Sequence, residues 1–300
     1  MKKKTYLFAL MAMALTLGSC SDNENGIGGE TSKYITVSTS IGNMTRVATD
    51  AKGGQTFEEG DEISVYAWTG DATVAPETRE RVVNNAINKL TNGSWISTPQ
   101  MLWKNNRDKH YFIGVYPISA ISDLSAGEYT FDETKQVESD LLVAVNKDGL
   151  SYNADEQQTV PLTFTHVMAK LAVNLTYKNQ WGGIPTVEKV VVGNAAKEAT
   201  INYLTKVVTP STTAKEDFSL PEITENTKYV SVIIPQEEVT QLTIVIGGKN
   251  FVYDNGTPFK LESGKITTVN LEVGRDEIKL GDVKITNWED GSTFSGEALN

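Results

Sequence analysis

From Tyr34 onward, apolar residues recur at every second position, and this period decides the fold class. Val160, Leu162, Phe164 and His166 alternate with Pro161, Thr163 and Thr165. Leu171, Val173, Leu175 and Tyr177 repeat the pattern, as do Val269, Leu271 and Val273. Successive strand side chains point to opposite faces, so such runs bury one face and leave the other in solvent. Turn signals interrupt them at Asn92-Gly93, Asp148-Gly149, Gly247-Gly248 and Asn255-Gly256, where a positive φ suits a tight hairpin. The runs 230–234, 242–246, 251–253 and 265–273 then read as a meander. With nine prolines, 24 glycines and few long helical periods, the expectation is an all-β protein of tandem antiparallel β-sandwiches. The Trp-Gly-Gly-Ile-Pro break within 178–185 puts a boundary after Tyr177, giving β-domains over 34–177 and 178–300.

One segment has a different period. Val82, Val83, Ala86, Ile87 and Leu90 fall at helical spacing within 79–90. The segment reads either as a short helix or as strand fragments feeding the Asn92-Gly93 turn, and the hairpin is the preferred reading.

The N-terminus is built differently. Lys2, Lys3 and Lys4 precede an apolar run from Tyr6 to Leu17, closed by Gly18, Ser19 and Cys20. About 20 apolar residues are needed to cross a bilayer, so this run is too short for a transmembrane helix. The order charged, apolar, small is that of a secretory signal, here residues 1–19. Leu17 to Cys20 resembles the lipobox of bacterial lipoproteins, in which the cysteine thiol is acylated. Cys20 is the single cysteine of the 300 residues, so no internal disulfide can form and stability must come from a core. Several acyl chains would make the tether effectively permanent. Residues 20–33 carry the anchor and a polar, Gly-rich linker, and Asp22, Asn23 and Glu24 resemble a lipoprotein surface-export signal. The net charge of −11 becomes more negative once the three lysines are removed, which argues against nucleic-acid partners.

A search for chemistry finds little. His110 and His166 sit in apolar, strand-like runs, without the partner spacing of a metal or catalytic site, and read as structural. No nucleophile elbow or phosphate-binding glycine loop is present, so neither an enzymatic reaction nor a cofactor nor a metal is expected. Trp68, Trp95, Trp103, Trp181 and Trp288 read mainly as packing residues. An exposed plane of them would instead indicate a surface glycan-binding lipoprotein that stays anchored.

Four segments together resemble the fimbrillin-like family of lipoprotein pilins, the subunits of type V pili. They are Thr45-Arg46 with 56–66 (TFEEGDEISVY), then 111–117 (YFIGVYP), then 140–144 (DLLVA) with 162–171 (LTFTHVMAKL), and finally 261–269 (LESGKITTV) with 285–291 (ITNWEDG). The resemblance implies two transthyretin-like sandwich domains and export to the outer-membrane surface, leading to a fimbrium that serves adhesion. It also implies cleavage by an arginine-specific protease and assembly with other subunits by strand exchange. In this chain the strand to be displaced would be 34–41, with Tyr34 or Ile35, Val37 and Ile41 on one face. Arg46 follows it among small polar residues and is the candidate cleavage site, with Arg79 and Arg81 as other candidates. The donor would be the C-terminal segment 278–300, through Ile278, Leu280, Val283 and Ile285. If that segment completes its own sheet, the subunit resembles a tip or terminal one. If it is mobile, the subunit resembles a stalk component.

Overall fold

The computed structural model describes residues 33–42, 56–153 and 158–288, so Cys20, Arg46 and the tail 289–300 lie outside the described residues. The described chain is all-β apart from one short 3-10 turn at Thr78–Glu80. Its N-terminal part is a seven-stranded sheet of β1 (Thr36–Ile41), β8 (Thr159–His166), β7 (Leu142–Leu150), β5 (His110–Tyr116), β2 (Glu62–Thr69), β3 (Arg81–Thr91) and β4 (Ser94–Thr98), in that order. The sheet curls until its ends meet. Beyond β4 the chain turns back so that Leu102 bridges Tyr34, just ahead of β1. The result is a rolled barrel with β1 as its closing stave.

Alternation along each strand fills this barrel. Ile63, Val65 and Ala67 of β2 point inward with Phe112 of β5, Ala144 of β7 and Leu162 and Phe164 of β8, all 1% exposed or less. The intervening Tyr66, Trp68, Ile113, Val115 and Val143 are equally buried, but on the outer face. That face is covered by a three-stranded sheet of β12 (Val207–Pro210), β11 (Glu198–Asn202) and β6 (Gly127–Thr130), which brings Ile201, Tyr203 and Leu204 into the same core.

The remaining strands form a sandwich. A five-stranded sheet runs β14 (Glu222–Thr224), β15 (Lys228–Ile233), β9 (Ala169–Tyr177), β18 (Lys265–Val273), β19 (Ile278–Asn287). It shares one core with a four-stranded sheet of β13 (Lys215–Leu220), β10 (Val187–Ala196), β16 (Gln236–Ile246) and β17 (Lys249–Leu261).

Several sequence expectations need correction. The segment 79–90 feeds the Asn92-Gly93 hairpin as preferred, but through one strand, Arg81–Thr91, rather than two fragments or a helix. Asn85, at φ 55°, sits where the β2–β3 register slips, so Val83 and Ala86 share the inner face although three residues apart. A bulge adds one residue to a period of two and thereby imitates a helical step. The Asp148-Gly149 pair lies inside β7 and Asn255-Gly256 inside β17, whereas Asn92-Gly93 and Gly247-Gly248 do turn hairpins, with positive φ at each residue. The expected meander is split, because β15 and β18 belong to one sheet and β16 and β17 to the other. Two pairs, β1 with β8 and β9 with β18, are parallel, so the sheets are not purely antiparallel. Neither pair is joined by a hairpin, which is the condition that would force opposite directions. Finally, β9 pairs within the C-terminal sandwich while β11 and β12 cover the N-terminal barrel, so strand pairing crosses the break read after Tyr177.

The barrel is filled to the point where one methyl group matters. A Cβ on Gly114 would lie 2.6 Å from Phe164 Cζ and 3.1 Å from Leu162 Cδ1. Gly114→Ala is expected to lose about 1–3 kcal/mol by overpacking, read from the midpoint of a denaturant melt.

Candidate functional site

The strand that closes the barrel is held on both sides. Thr36 to Ile41 pair with Thr159 to Phe164 of β8. On the other side Ile35 N–H donates to Met101 O at 2.9 Å, and Trp103 N–H donates to Lys33 O at 3.3 Å. Trp95 Nε1–H from β4 adds a hydrogen bond to Thr39 Oγ1 at 3.0 Å. Ile35 and Val37 are 2% and 6% exposed and face the interior, whereas Tyr34 is 37% exposed. The inward residue of the Tyr34–Ile35 pair is therefore Ile35. Thr39 and Ile41 are half-buried, and Ser38 and Ser40 face solvent.

Just after the strand, Gly42 N–H donates to Phe164 O at 2.7 Å. A Cβ there would come 2.7 Å from Thr163 Cγ2, so a small residue is needed where the chain presses on β8. Arg46 follows a few residues on.

Burial of Ile35 and Val37 stabilises the barrel by about 1.5–3 kcal/mol each. A typical domain has only about 5–15 kcal/mol in total. Removing this strand would also bare Met101, Trp103, Val160, Leu162 and Phe164 and leave the ladder edges of β8 and 101–103 unpaired. The vacancy would be a groove with a hydrogen-bonding wall on each side and apolar seats at every second position. Such a groove fits another extended strand.

The other two candidate arginines offer less to a protease. Arg79 is exposed in the 3-10 turn, paired to Glu77 at 2.8 Å. Arg81 is buried, donating to Ile121 O at 2.7 Å and Ser122 O at 2.6 Å.

At the far end of the chain, Ile278, Leu280, Val283 and Ile285 all lie on β19, which pairs with β18 along its length. The two strand pieces expected there are one strand with a register shift beside Leu280. It is an edge strand, with Val283 and Ile285 each 37% exposed. Trp288, just beyond it, is 6% exposed and belongs to the core. Around it stand two residues whose arrangement the sequence pattern did not disclose. His166 stacks on the indole at 4.2 Å between centroids, and Lys170 Nζ lies 4.3 Å from the ring centre. His166 Nδ1 in turn meets Asp140 Oδ1 at 2.7 Å. Burial pushes the Lys170 ammonium down to about 8, partly offset by the carboxylate of Asp140. The available signal was a lysine at a position enclosed by Ala169 and Leu171 in an apolar strand.

The tryptophans do not form an exposed plane. Trp68 and Trp103 are 2% and 8% exposed. Trp95 packs edge-on to Phe57 at 5.3 Å and Trp181 to Phe251 at 5.8 Å. No cluster of His, Cys, Asp and Glu suited to a metal ion occurs among the described residues.

His110 has a role at the Trp103 end of the barrel. Its Nδ1 lies 3.1 Å from Asp108 O, and its Nε2 accepts from Lys104 N–H at 3.0 Å. A neutral ring with the proton on Nδ1 satisfies both contacts; a second proton would face the Lys104 N–H. Burial is the main cause holding the pKa of His110 below its ordinary 6.5. The unfolded chain therefore takes up a proton that the folded chain refuses, and stability present above pH 6.5 falls away as the pH drops below it. An acid titration followed by Trp103 fluorescence and melting temperature should record this loss. His110→Leu should be less stable at every pH but show a flatter acid limb.

Comparison with known proteins agrees with this architecture. Over 97% of this chain and 97% of its own length, a Bacteroides uniformis protein named as fimbrium subunit Fim1C is 25% identical. A Bacteroides ovatus structure named as a cell adhesion protein superposes with a TM-score of 0.65 at 17% identity, covering 85% of this chain and 98% of its own. A second such structure, from Bacteroides uniformis, gives 0.60 at 17% identity, over 86% of this chain and 100% of its own. At these identities the superpositions speak for the fold. A family model described as fimbrillin-like matches residues 45–288, and on that match the chain belongs to the fimbrillin-like family.

Proposed function

We propose that this chain is a structural subunit or tip adhesin of a cell-surface fimbria. It is exported as a lipoprotein through Cys20 to the outer membrane and trimmed after Arg46 by an arginine-specific protease. It is then joined to other subunits by strand exchange, and the finished fimbria serves adhesion to surface ligands. The observation that carries this reading is the position of β1. It is the last stave of a barrel, it is seated by Ile35 and Val37, and it lies between the candidate anchor and the candidate cleavage site. One cut would separate both anchor and strand from the rest of the chain. A strand of another copy would then restore the lost ladders and fill the same seats.

The transthyretin-like character of the two units belongs to this proposal too. In the single chain β19 is paired within its own sheet, as in a subunit that receives a strand without yet giving one. The burial of Trp68, Trp103 and Trp288 speaks against the alternative of an anchored glycan-binding protein, which would need an exposed plane of such rings.

Lipid-free precursor treated with an arginine-specific protease should yield a new N-terminus at Val47 and larger species on gel filtration. Arg46→Ala should remain uncut there and monomeric. A precursor that is never cut near Arg46 and stays monomeric under all protease conditions would remove the basis for assembly by trimming.

A further inference from the structure

The C-terminal strand is weakly seated along most of its length. Of its side chains only Ile278, Leu280 and Thr286 are half-buried; the rest of β19 faces solvent. Its packing is concentrated at one point, Trp288. The indole lies against His166 with an interplanar angle of 8°, and Lys170 Nζ approaches the ring centre as a cation–π partner. Trp288 N–H donates to Gly264 O at 3.2 Å, and Gly264 N–H donates to Met168 O at 2.8 Å. Ser263 Oγ–H donates to Val167 O at 2.8 Å. The slot is thus assembled where the β8–β9 link meets the β17–β18 turn, and Asp140 fixes the His166 ring from the side.

The seat is incomplete in one respect. Trp288 Nε1–H is buried without a hydrogen-bond acceptor among the described residues. A buried donor left unpaired costs free energy that would be recovered in water. The residue is therefore held by ring packing and a cation, against an opposing polar cost. A contact of that kind confines a strand while leaving it removable.

We propose that the slot formed by His166, Lys170 and Asp140 is a latch for the C-terminal strand: with Trp288 seated, β19 stays on its own sheet, and with Trp288 withdrawn, β19 is released to pair with a second copy of the chain. The second half of this statement rests on the strand-exchange reading above, and the first half does not. Within β19 itself Ile278 and Leu280 pack against the core only half-buried, at the start of the strand, so the one fully buried side chain at its end is Trp288. The exposed Val283 and Ile285, with one residue between them, are suited to enter a groove with seats at every second position once the strand is loose.

The test uses the full lipid-free chain and reads amide hydrogen exchange residue by residue. Trp288→Ala is expected to speed exchange across Ile278–Asn287 at least tenfold while leaving β2 and β5 in the barrel unchanged. Trp288→Phe, which keeps a stackable ring, should restore part of the protection. Exchange in β19 within twofold of the parent chain would overturn the latch. Should Trp288→Ala loosen the whole sandwich, Lys170→Met decides: faster exchange confined to β19 supports the latch, and none overturns it. Gel filtration after arginine-specific trimming separates the two readings. If β19 loosens in Trp288→Ala but no larger species form in either protein, the latch stands and strand exchange fails. If the parent chain assembles while β19 exchange is insensitive to Trp288, assembly stands and the latch fails.

Discussion

The fold depends on one strand being held by two walls that come from distant parts of the chain. Thr36 to Ile41 add to β8 in parallel, and the residues just before them pair with Met101 and Trp103. Without that closure the sheet would be a curled layer with two open edges and a row of exposed interior side chains. With it, the barrel holds a core packed so closely that Gly114 has no room for a methyl group. The outer face of the same sheet is buried under β6, β11 and β12, so that face and the second sandwich share a continuous core, distinct from the barrel interior. This joint burial explains why β2 and β5 are apolar on both faces. A strand covered on both sides needs no polar alternation.

How much of this was legible in the sequence depends on whether the signal was local. The all-β class followed from the period of two, and the hairpins at Asn92-Gly93 and Gly247-Gly248 from the need for positive φ. Glycine after Asp or Asn has more than one use, however. At Asp148-Gly149 it serves a bulged strand, and Asn255-Gly256 lies where the β16–β17 register shifts within β17. In 79–90 a bulge at Asn85 shifted the inward face by one residue, and the pattern then resembled a helix. The parallel partners of β8 and β9 were not legible at all. They are supplied by segments about 100 residues or more away, and nothing local marks such a pairing.

The candidate site divides in the same way. Val37 and Ile41 could be picked out because they alternate, and they stand in register with Val160 and Phe164, whereas the choice of Ile35 over Tyr34 came only from burial in the structure. The slot around Trp288 could not, since Asp140, the His166–Lys170 stretch and Trp288 come from three separate segments. The two ends of the chain therefore carry complementary devices. The N-terminal strand is seated deeply and lies upstream of a candidate cut, and the C-terminal strand is seated shallowly and fastened at one ring.

The central claim is that β1 is a separable part whose seat accepts a strand from outside. Its most direct measurement is the binding of a synthetic peptide with the sequence of residues 33–42 to protein lacking residues 1–46. The account predicts one peptide bound per chain, recovery of the melting temperature and loss of self-association. The same peptide with both Ile35 and Val37 replaced by Asn should do none of these. A shortened protein that is as stable as the full chain, remains monomeric and ignores the peptide would contradict it.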